Sequence, residues 1–404
     1  MDESGKVAPA CGERIMKPVN TTMAGLGTTV FEVMSRLAME HGSINLGQGF
    51  PDQDGPEDVR RVAAEALIEG PNQYPPMTGL PELRQAITTH AQRFYGLDYD
   101  WQSEIVVTSG ATEALADCFL GLLNAGDEVI LLEPLYDSYP PIVERSGAVP
   151  KYVCLQPPEW SLPLAELEAA FGPKTKMILL NNPMNPASKV FRREELETIA
   201  RLCIEHDVIC VCDEVYEHLL FDDLQHIPIA GLPGMRERTL RIASAGKIFS
   251  LTGWKVGWIE GPATLMSTIA KTHQFMTFTT APNLQKAVAY GLAKDDAYFE
   301  GLAGAMQAKR DRLGAGLRAA GFEVLPSDGT YFVSADFRPL GFNGTDEEFC
   351  RLITIEAGVT AVPVSAFYRT GKVEHLARFC FSKQDSILDA ASAKLASYFG
   401  SGQN

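Results

Sequence analysis

At 404 residues the chain is too long for one small domain, and two compact units of unequal size are the expectation. Hydrophobic residues make up 46% and charged residues 21%, a globular balance with ample material for a large core. A formal charge of −16 argues against nucleic acid or an anionic membrane surface as partner, and no apolar run approaches the ~20 residues of a membrane helix.

The N-terminal stretch "MDESGKVAPACGER" lacks the apolar centre of a secretion signal, so the expected compartment is cytoplasmic; residues 1–15 are expected to be disordered. The segment "INLGQGFPDQDGP" (44–56) is rich in glycine and proline and reads as extended chain packed on a smaller unit. From about residue 55 to 290, helical periods alternate with short runs rich in Val and Ile. Strands are expected at "EIVVTS" (104–109), "EVILLEP" (128–134), "KMILLNNP" (176–183), "VICVCDE" (208–214) and "LRIAS" (240–244). Helices such as "ATEALADCFLGLL" (111–123) and "RREELETIARLCIEH" (192–206) lie between them. The alternation predicts an α/β fold, with a large domain over 53–294 whose mostly parallel central sheet is flanked by helices. Beyond about residue 295 the pattern changes to a helix over 296–320 and strands in "FEVLPSDGTYFVSADF", "VTAVPVSAF" and "LARFCFSK". Residues 16–52 and 295–404 are therefore expected to form a smaller α+β domain.

Eight cysteines are scattered without the paired spacing of a zinc site, so reduced, buried thiols are expected and no metal is implied. The histidines show no partner pattern and read as structural.

In an open α/β sheet, ligands gather beyond the carboxyl ends of the strands. Here five strand exits are chemically unusual: "TSGATEA", "EPLYDSYPP", "NNPMNPASK", "CDEVYEH" and "SAGK". Lys247 follows the last strand, and a desolvated or crowded lysine is a nucleophile. Lys255, eight residues on, either crowds Lys247 or binds an anion. Asp213 ends a buried strand and needs a cation or a helix N-terminus, and Tyr216 follows about one turn later. The helix start at Gly110, Ala111 and Thr112 offers free N–H groups to an anion, with Ser244 and Lys255 in reach. A carboxylate, a phenol and a reactive lysine suit a pyridine ring bearing an aldehyde, a hydroxyl and a phosphate.

Together "SAGKIFSLTGWKVGW", "CDEVYEHL", "TSGATEAL", "LGQGFPD", "NQYPPMTG" and "NNPMNPASKVF" resemble a class I pyridoxal-phosphate-dependent aminotransferase of fold type I. The branch most similar holds methionine, kynurenine and glutamine–phenylpyruvate aminotransferases, and the resemblance runs from about residue 20 to 395. It implies that Lys247 is the Schiff-base lysine and proton shuttle, that Asp213 pairs with the pyridine nitrogen, and that Tyr216 bonds the ring hydroxyl. Asn185 assists Tyr216, with Asn182 as the competing amide. Gly110, Ala111, Thr112, Ser244 and Lys255 form the phosphate cup, and Tyr136 stacks on the ring. Arg378 clamps the substrate α-carboxylate beside the backbone of Gly47. Tyr74 reaches the phosphate of a partner subunit, which implies a homodimer with its active site at the interface. Ser188 stands where relatives often have glycine, so a slightly altered turn is expected there.

The implied reaction is ping-pong transfer of an amino group from an L-amino acid to a 2-oxo acid. Relatives specialised for aspartate pair its distal carboxylate with a second arginine donated across the dimer. The corresponding "THQFMTFTTAP" (272–282) offers Phe275, Met276 and Phe278 and no arginine, so long uncharged donors such as methionine, aromatic residues or glutamine are expected. The alternatives are transfer from N-succinyldiaminopimelate and β-elimination from cysteine conjugates or cystathionine on the same fold.

Overall fold

The computed structural model of the chain describes residues 17, 19–371 and 373–400; the terminus expected to be disordered lies outside the described residues. A first short strand, β1 (Ile44–Asn45), is followed by the seven strands of the main sheet. These are β2 (Ile105–Thr108), β3 (Glu128–Glu133), β4 (Val149–Cys154), β5 (Thr175–Asn181), β6 (Ile209–Asp213), β7 (Thr239–Ser244) and β8 (Gly257–Glu260). Their order is β2-β8-β7-β6-β5-β3-β4. The run from β7 to β4 is parallel, while β8 lies antiparallel to both β2 and β7, so the sheet is mixed.

Alternation along the strands assigns the two faces. Ile130, Leu132, Ile178, Leu180, Cys210 and Cys212 pack with Leu196, Ile199 and Cys203 of the helix Arg193–Glu205. Val129, Leu131, Met177, Leu179 and Val211 pack on the other side with Leu115, Cys118 and Phe119 of the helix Ala111–Leu122. Burial on both faces accounts for the near-continuous apolar runs, each large aliphatic side chain contributing about 1.5–3 kcal/mol.

All five expected strands are present, and β4 and β8 are additional. β4 is the edge of the sheet, half-exposed and carrying Pro150 and Lys151, a composition that protects an edge and hides a strand signal. β8 has only four residues, and Gly257 at its start is forced by contact. A Cβ there would lie 2.8 Å from the carbonyl carbon of Gly110 and 2.9 Å from the nitrogen of Ala111.

A second sheet, in order β12-β13-β10-β9, is built from β9 (Glu323–Val324), β10 (Phe332–Asp336), β12 (Val362–Pro363) and β13 (Leu376–Cys380). The remaining strand, β11 (Val359–Thr360), pairs in parallel with β1, so the segment around residue 45 lies against the C-terminal part of the chain. Of the cysteines, Cys118, Cys203, Cys210, Cys212, Cys350 and Cys380 are buried free thiols and Cys154 is half-buried; Cys11 lies outside the described residues. Among the described residues no helix is long and apolar enough to cross a membrane.

Candidate active site

The carboxyl ends of β2, β3, β5, β6 and β7 open on a cavity of about 510 Å³. Gly110, Ala111, Thr112, Tyr136, Asn185, Asp213, Tyr216, Ser244, Lys247, Lys255 and Arg378 all line it. Residues scattered over 268 positions thus meet in one place because parallel strands deliver their exits to one edge.

One end of the cavity is built for an anion. The helix Ala111–Leu122 starts there, and its first N–H groups have no acceptor within the helix. Gly110, at φ +79°, carries the chain into that helix, and a Cβ on it would lie 3.3 Å from Lys255 Nζ. The bare glycine therefore lets the ammonium sit against the helix N-terminus. Beneath this turn, Glu113 accepts from the Ser109 N–H, from Thr277 Oγ1 and, at 2.8 Å, from His273 Nδ1. His273 Nε2 also meets the Met77 carbonyl at 3.0 Å. Despite burial, these bonds hold Glu113 below the ordinary carboxylate range and His273 above the ordinary imidazole range.

Lys247 lies in the middle. Burial pulls its pKa down to about 8, with Lys255 and Arg378 adding to the effect and Asp213 opposing it. Its Nζ donates to Tyr331 Oη at 2.6 Å and stands 5.5 Å from the centre of the Tyr216 ring.

Asp213, 5% exposed, accepts from Tyr139 Oη at 2.7 Å. Burial raises its pKa, while Tyr139, the Val215 N–H and Lys247 restrain it. The turn behind it is anchored by Arg241, fully buried, whose guanidinium donates to Glu214, Glu217 and Glu260. Despite burial, His226 and Arg241 hold Glu214 down to about 2. Such a cluster survives burial only because every carboxylate shares the cation.

Arg378, on β13, closes the far side. Its Nη1 donates to Asn185 Oδ1 at 2.7 Å and its Nη2 to the Gly47 carbonyl at 3.0 Å. The guanidinium carbon lies 3.9 Å from the Phe332 ring centre, with Phe367 and Phe31 at 4.9 and 5.3 Å. Its Nε is buried without a hydrogen-bond partner among the described residues, a donor left free for a ligand. Asn185 and not Asn182 faces the cavity; Asn182 Oδ1 is taken by the Phe191 N–H at 3.1 Å.

Two of the expected residues stand outside the cavity lining. Gly47 meets Arg378 through its backbone. Tyr74 is 83% exposed, edge-on to Phe278 at 5.5 Å. Phe275, Met276 and Phe278 are exposed as well and do not line the cavity of their own chain. Ser188 adopts φ +56°, the left-handed conformation that favours glycine, and its hydroxyl bonds the Phe332 carbonyl at 2.7 Å. Five residues carried no site expectation from the sequence: Tyr139, Tyr331, Asp137 in the cavity wall, and the paired His273 and Glu113. "EPLYDSYPP" held a signal for Tyr139, a second tyrosine one helical turn after Tyr136.

The arrangement can hold a small anionic ring compound. An anion site lies at a helix N-terminus, an amine of lowered basicity at the centre, a buried carboxylate on one side and an unspent guanidinium N–H on the other. That donor set fits pyridoxal phosphate and a carboxylate substrate together.

Comparison with known proteins agrees. The model of the family "Aminotransferase class I and II" matches residues 42–395. A probable N-succinyldiaminopimelate aminotransferase of Mycobacterium tuberculosis (strain H37Rv) is 44% identical over 380 residues, covering 91% of this chain and 96% of that one. The methionine aminotransferase of Escherichia coli K12 is 40% identical over 370 residues, covering 92% and 96%. The solved structure of N-succinyldiaminopimelate aminotransferase from Mycobacterium tuberculosis superposes with a TM-score of 0.91 at 44% identity, covering 94% of this chain and 100% of that one. With the family matched across the sheet, the cavity and the lysine loop, this chain belongs to the class I and II aminotransferases and is a pyridoxal-phosphate-dependent transaminase of fold type I.

Proposed function

We propose that the enzyme moves the amino group of a long, uncharged L-amino acid to a 2-oxo acid, with Lys247 as the working base. Bound pyridoxal phosphate supplies an aldehyde that takes up the amino group and a ring that accepts the electron pair left by the departing α-proton. Lys247 would hold the cofactor through its amine and, once free and neutral, would serve as the base that takes the substrate α-proton. Asp213, fixed by Tyr139, would pair with the ring nitrogen and keep it protonated. Of the residues lining the cavity, Tyr216 and Asn185 would meet the ring oxygen, Tyr136 would stack on the ring, and Gly110, Ala111, Thr112, Ser244 and Lys255 would hold the phosphate. Arg378 grips the α-carboxylate of either substrate, oriented by the Gly47 carbonyl and Asn185.

The feature that supports the substrate class is the segment 272–282, the stretch expected to face a partner's site, which offers exposed Phe275, Met276 and Phe278 and no arginine. Within the chain's own cavity Arg378 is the only arginine among the described lining residues, and Asp137 adds a carboxyl group there. A distal carboxylate would meet no second guanidinium there, and a charge left unpaired in a dry site costs several kcal/mol. Apolar or thioether side chains gain roughly 1–3 kcal/mol by burial instead. A donor panel on the purified holoenzyme tests this: methionine, phenylalanine or glutamine should exceed aspartate at least about tenfold in kcat/KM, a difference of about 1.4 kcal/mol. An aspartate preference overturns the reading.

A second reading, transfer from N-succinyldiaminopimelate, draws support from the 44% identity to the mycobacterial relative of that name. That donor belongs in the same panel, and strict dependence on it would displace the first reading. Release of pyruvate and ammonia from cysteine conjugates would reveal β-elimination.

The working unit in this reading is a two-fold homodimer. Tyr74 is 83% exposed with Phe278 beside it, and Phe275 and Met276 are exposed as well, apolar surface suited to a second copy whose phosphate site Tyr74 would complete. Light scattering that finds an active monomer overturns it. The charge of −16 and the lack of a membrane-length apolar helix among the described residues support a cytoplasmic setting.

A further inference from the structure

Beside the lysine stands a residue to which neither the motifs nor the family resemblance gave a task. The hydroxyl of Tyr331 makes two bonds at once: it donates to the Gly49 carbonyl at 2.6 Å and accepts from Lys247 Nζ at 2.6 Å. A phenol has one proton, and here the Gly49 carbonyl takes it. Towards Lys247 the oxygen can therefore act only as an acceptor.

We propose that Tyr331 is a positioning residue that holds the free ε-amine of Lys247 while the lysine is detached from the cofactor. The inference rests on the reading of Lys247 as the working base. Once the substrate amino group has displaced it, Lys247 is a flexible four-carbon chain with many rotamers open to it. An N–H bond to a fixed oxygen removes that freedom and leaves the nitrogen lone pair unshared, ready to take a proton from the α-carbon. A phenol that donated to the amine would occupy that lone pair and block the base.

The surroundings fix the oxygen in place. Tyr331 is 1% exposed, and its ring packs at 5.1 Å against Tyr216 and at 4.7 Å against Phe332, both near edge-on. Gly49 can present its carbonyl only because it lacks a side chain, since a Cβ would lie 2.6 Å from Phe332 Cζ. Two residues earlier, the Gly47 carbonyl accepts from Arg378. One extended segment thus fixes the group proposed to grip the substrate carboxylate and, through Tyr331, the group proposed to move its proton.

The test is Tyr331→Phe, which deletes one oxygen from a packed ring. In the holoenzyme kcat should fall roughly tenfold with little change in KM, the loss of one hydrogen bond to the amine. In protein stripped of cofactor, the pH midpoint for acylation of Lys247, followed by peptide mass spectrometry, should move downward, because a phenol oxygen favours the ammonium form. The deciding measurement is a double-mutant cycle. In a Lys247→Ala background rescued by added methylamine, Tyr331→Phe should cost nothing further. A full tenfold loss in that background, or an unchanged midpoint for Lys247, overturns the proposal. Rapid turnover by Lys247→Ala without added amine would instead overturn the assignment of the lysine itself.

Discussion

Arg378→Lys isolates the contribution of a planar, forked cation to substrate recognition. The guanidinium makes two fixed bonds, to Asn185 Oδ1 at 2.7 Å and to the Gly47 carbonyl at 3.0 Å, and lies 3.9 Å from the Phe332 ring centre. Burial lowers its pKa to about 10, still far above neutrality, so it stays charged in use. An ammonium keeps the charge but cannot serve two protein acceptors and both oxygens of a carboxylate in one plane. One charge-assisted bond of about 1.5–3 kcal/mol is lost, and a buried acceptor is left bare at a further cost of about 1–3 kcal/mol. A total of about 2.5–6 kcal/mol corresponds to about two to four powers of ten in kcat/KM. The loss should fall on amino acid and oxo acid alike, because both present the same carboxylate. The assay compares phenylalanine with phenethylamine, which lacks that group: the parent should discriminate strongly between them and the variant weakly. The cofactor absorbance should be unchanged. Undiminished discrimination in the variant would refute the assignment of Arg378.

Three other outcomes follow from the geometry. Tyr139→Phe removes the 2.7 Å bond that restrains the pKa of buried Asp213, so α-proton exchange should slow about tenfold (about 1.4 kcal/mol) while cofactor stays bound; exchange at the parental rate would free Asp213 from dependence on Tyr139. Capture of pyridoxal phosphate by the stripped protein should accelerate as pH rises through about 8 and then level off, since only neutral Lys247 attacks and burial sets its pKa there; a rate still climbing beyond pH 10 would contradict a depressed lysine. Asp117 is fully buried under the helix Ala111–Leu122 with neither oxygen hydrogen-bonded, and burial together with the Glu113 charge raises its pKa from 3.8 to about 8. The folded state therefore binds the extra proton between those values, and the stability it confers is complete below about 4 and lost as pH rises to about 8. Asp117→Asn should raise Tm at pH 8, by an effect on the order of several kcal/mol that vanishes towards pH 4; an equal gain at both pH values would refute this origin.

How much of the site the sequence disclosed follows from the distance over which each signal acts. The meeting of Lys247, Asp213 and Gly110 at one cavity was legible because each sits at a strand exit, where a few adjacent residues encode strand, turn and helix start. Tyr331 carries no such local mark. It lies 84 positions from Lys247 and 282 from Gly49, just before β10, and only the tertiary fold brings the three together. His273 read as structural for the same reason, since its partners Glu113 and Met77 are 160 and 196 positions away. The missed strands failed on composition, β4 because an exposed edge favours Pro150 and Lys151, and β8 because four residues are too few for a period to show. Ser188 marks the boundary between the two kinds of information. Its departure from glycine was visible, but the compensation was not: its hydroxyl bonds the Phe332 carbonyl at 2.7 Å and Thr330 Oγ1 at 3.0 Å while φ is +56°. Glycine would relieve about 1 kcal/mol of backbone strain there, and the two hydroxyl bonds are worth about as much. Serine can therefore hold this turn against β10, whose Phe332 stacks on Arg378, at no net loss of stability.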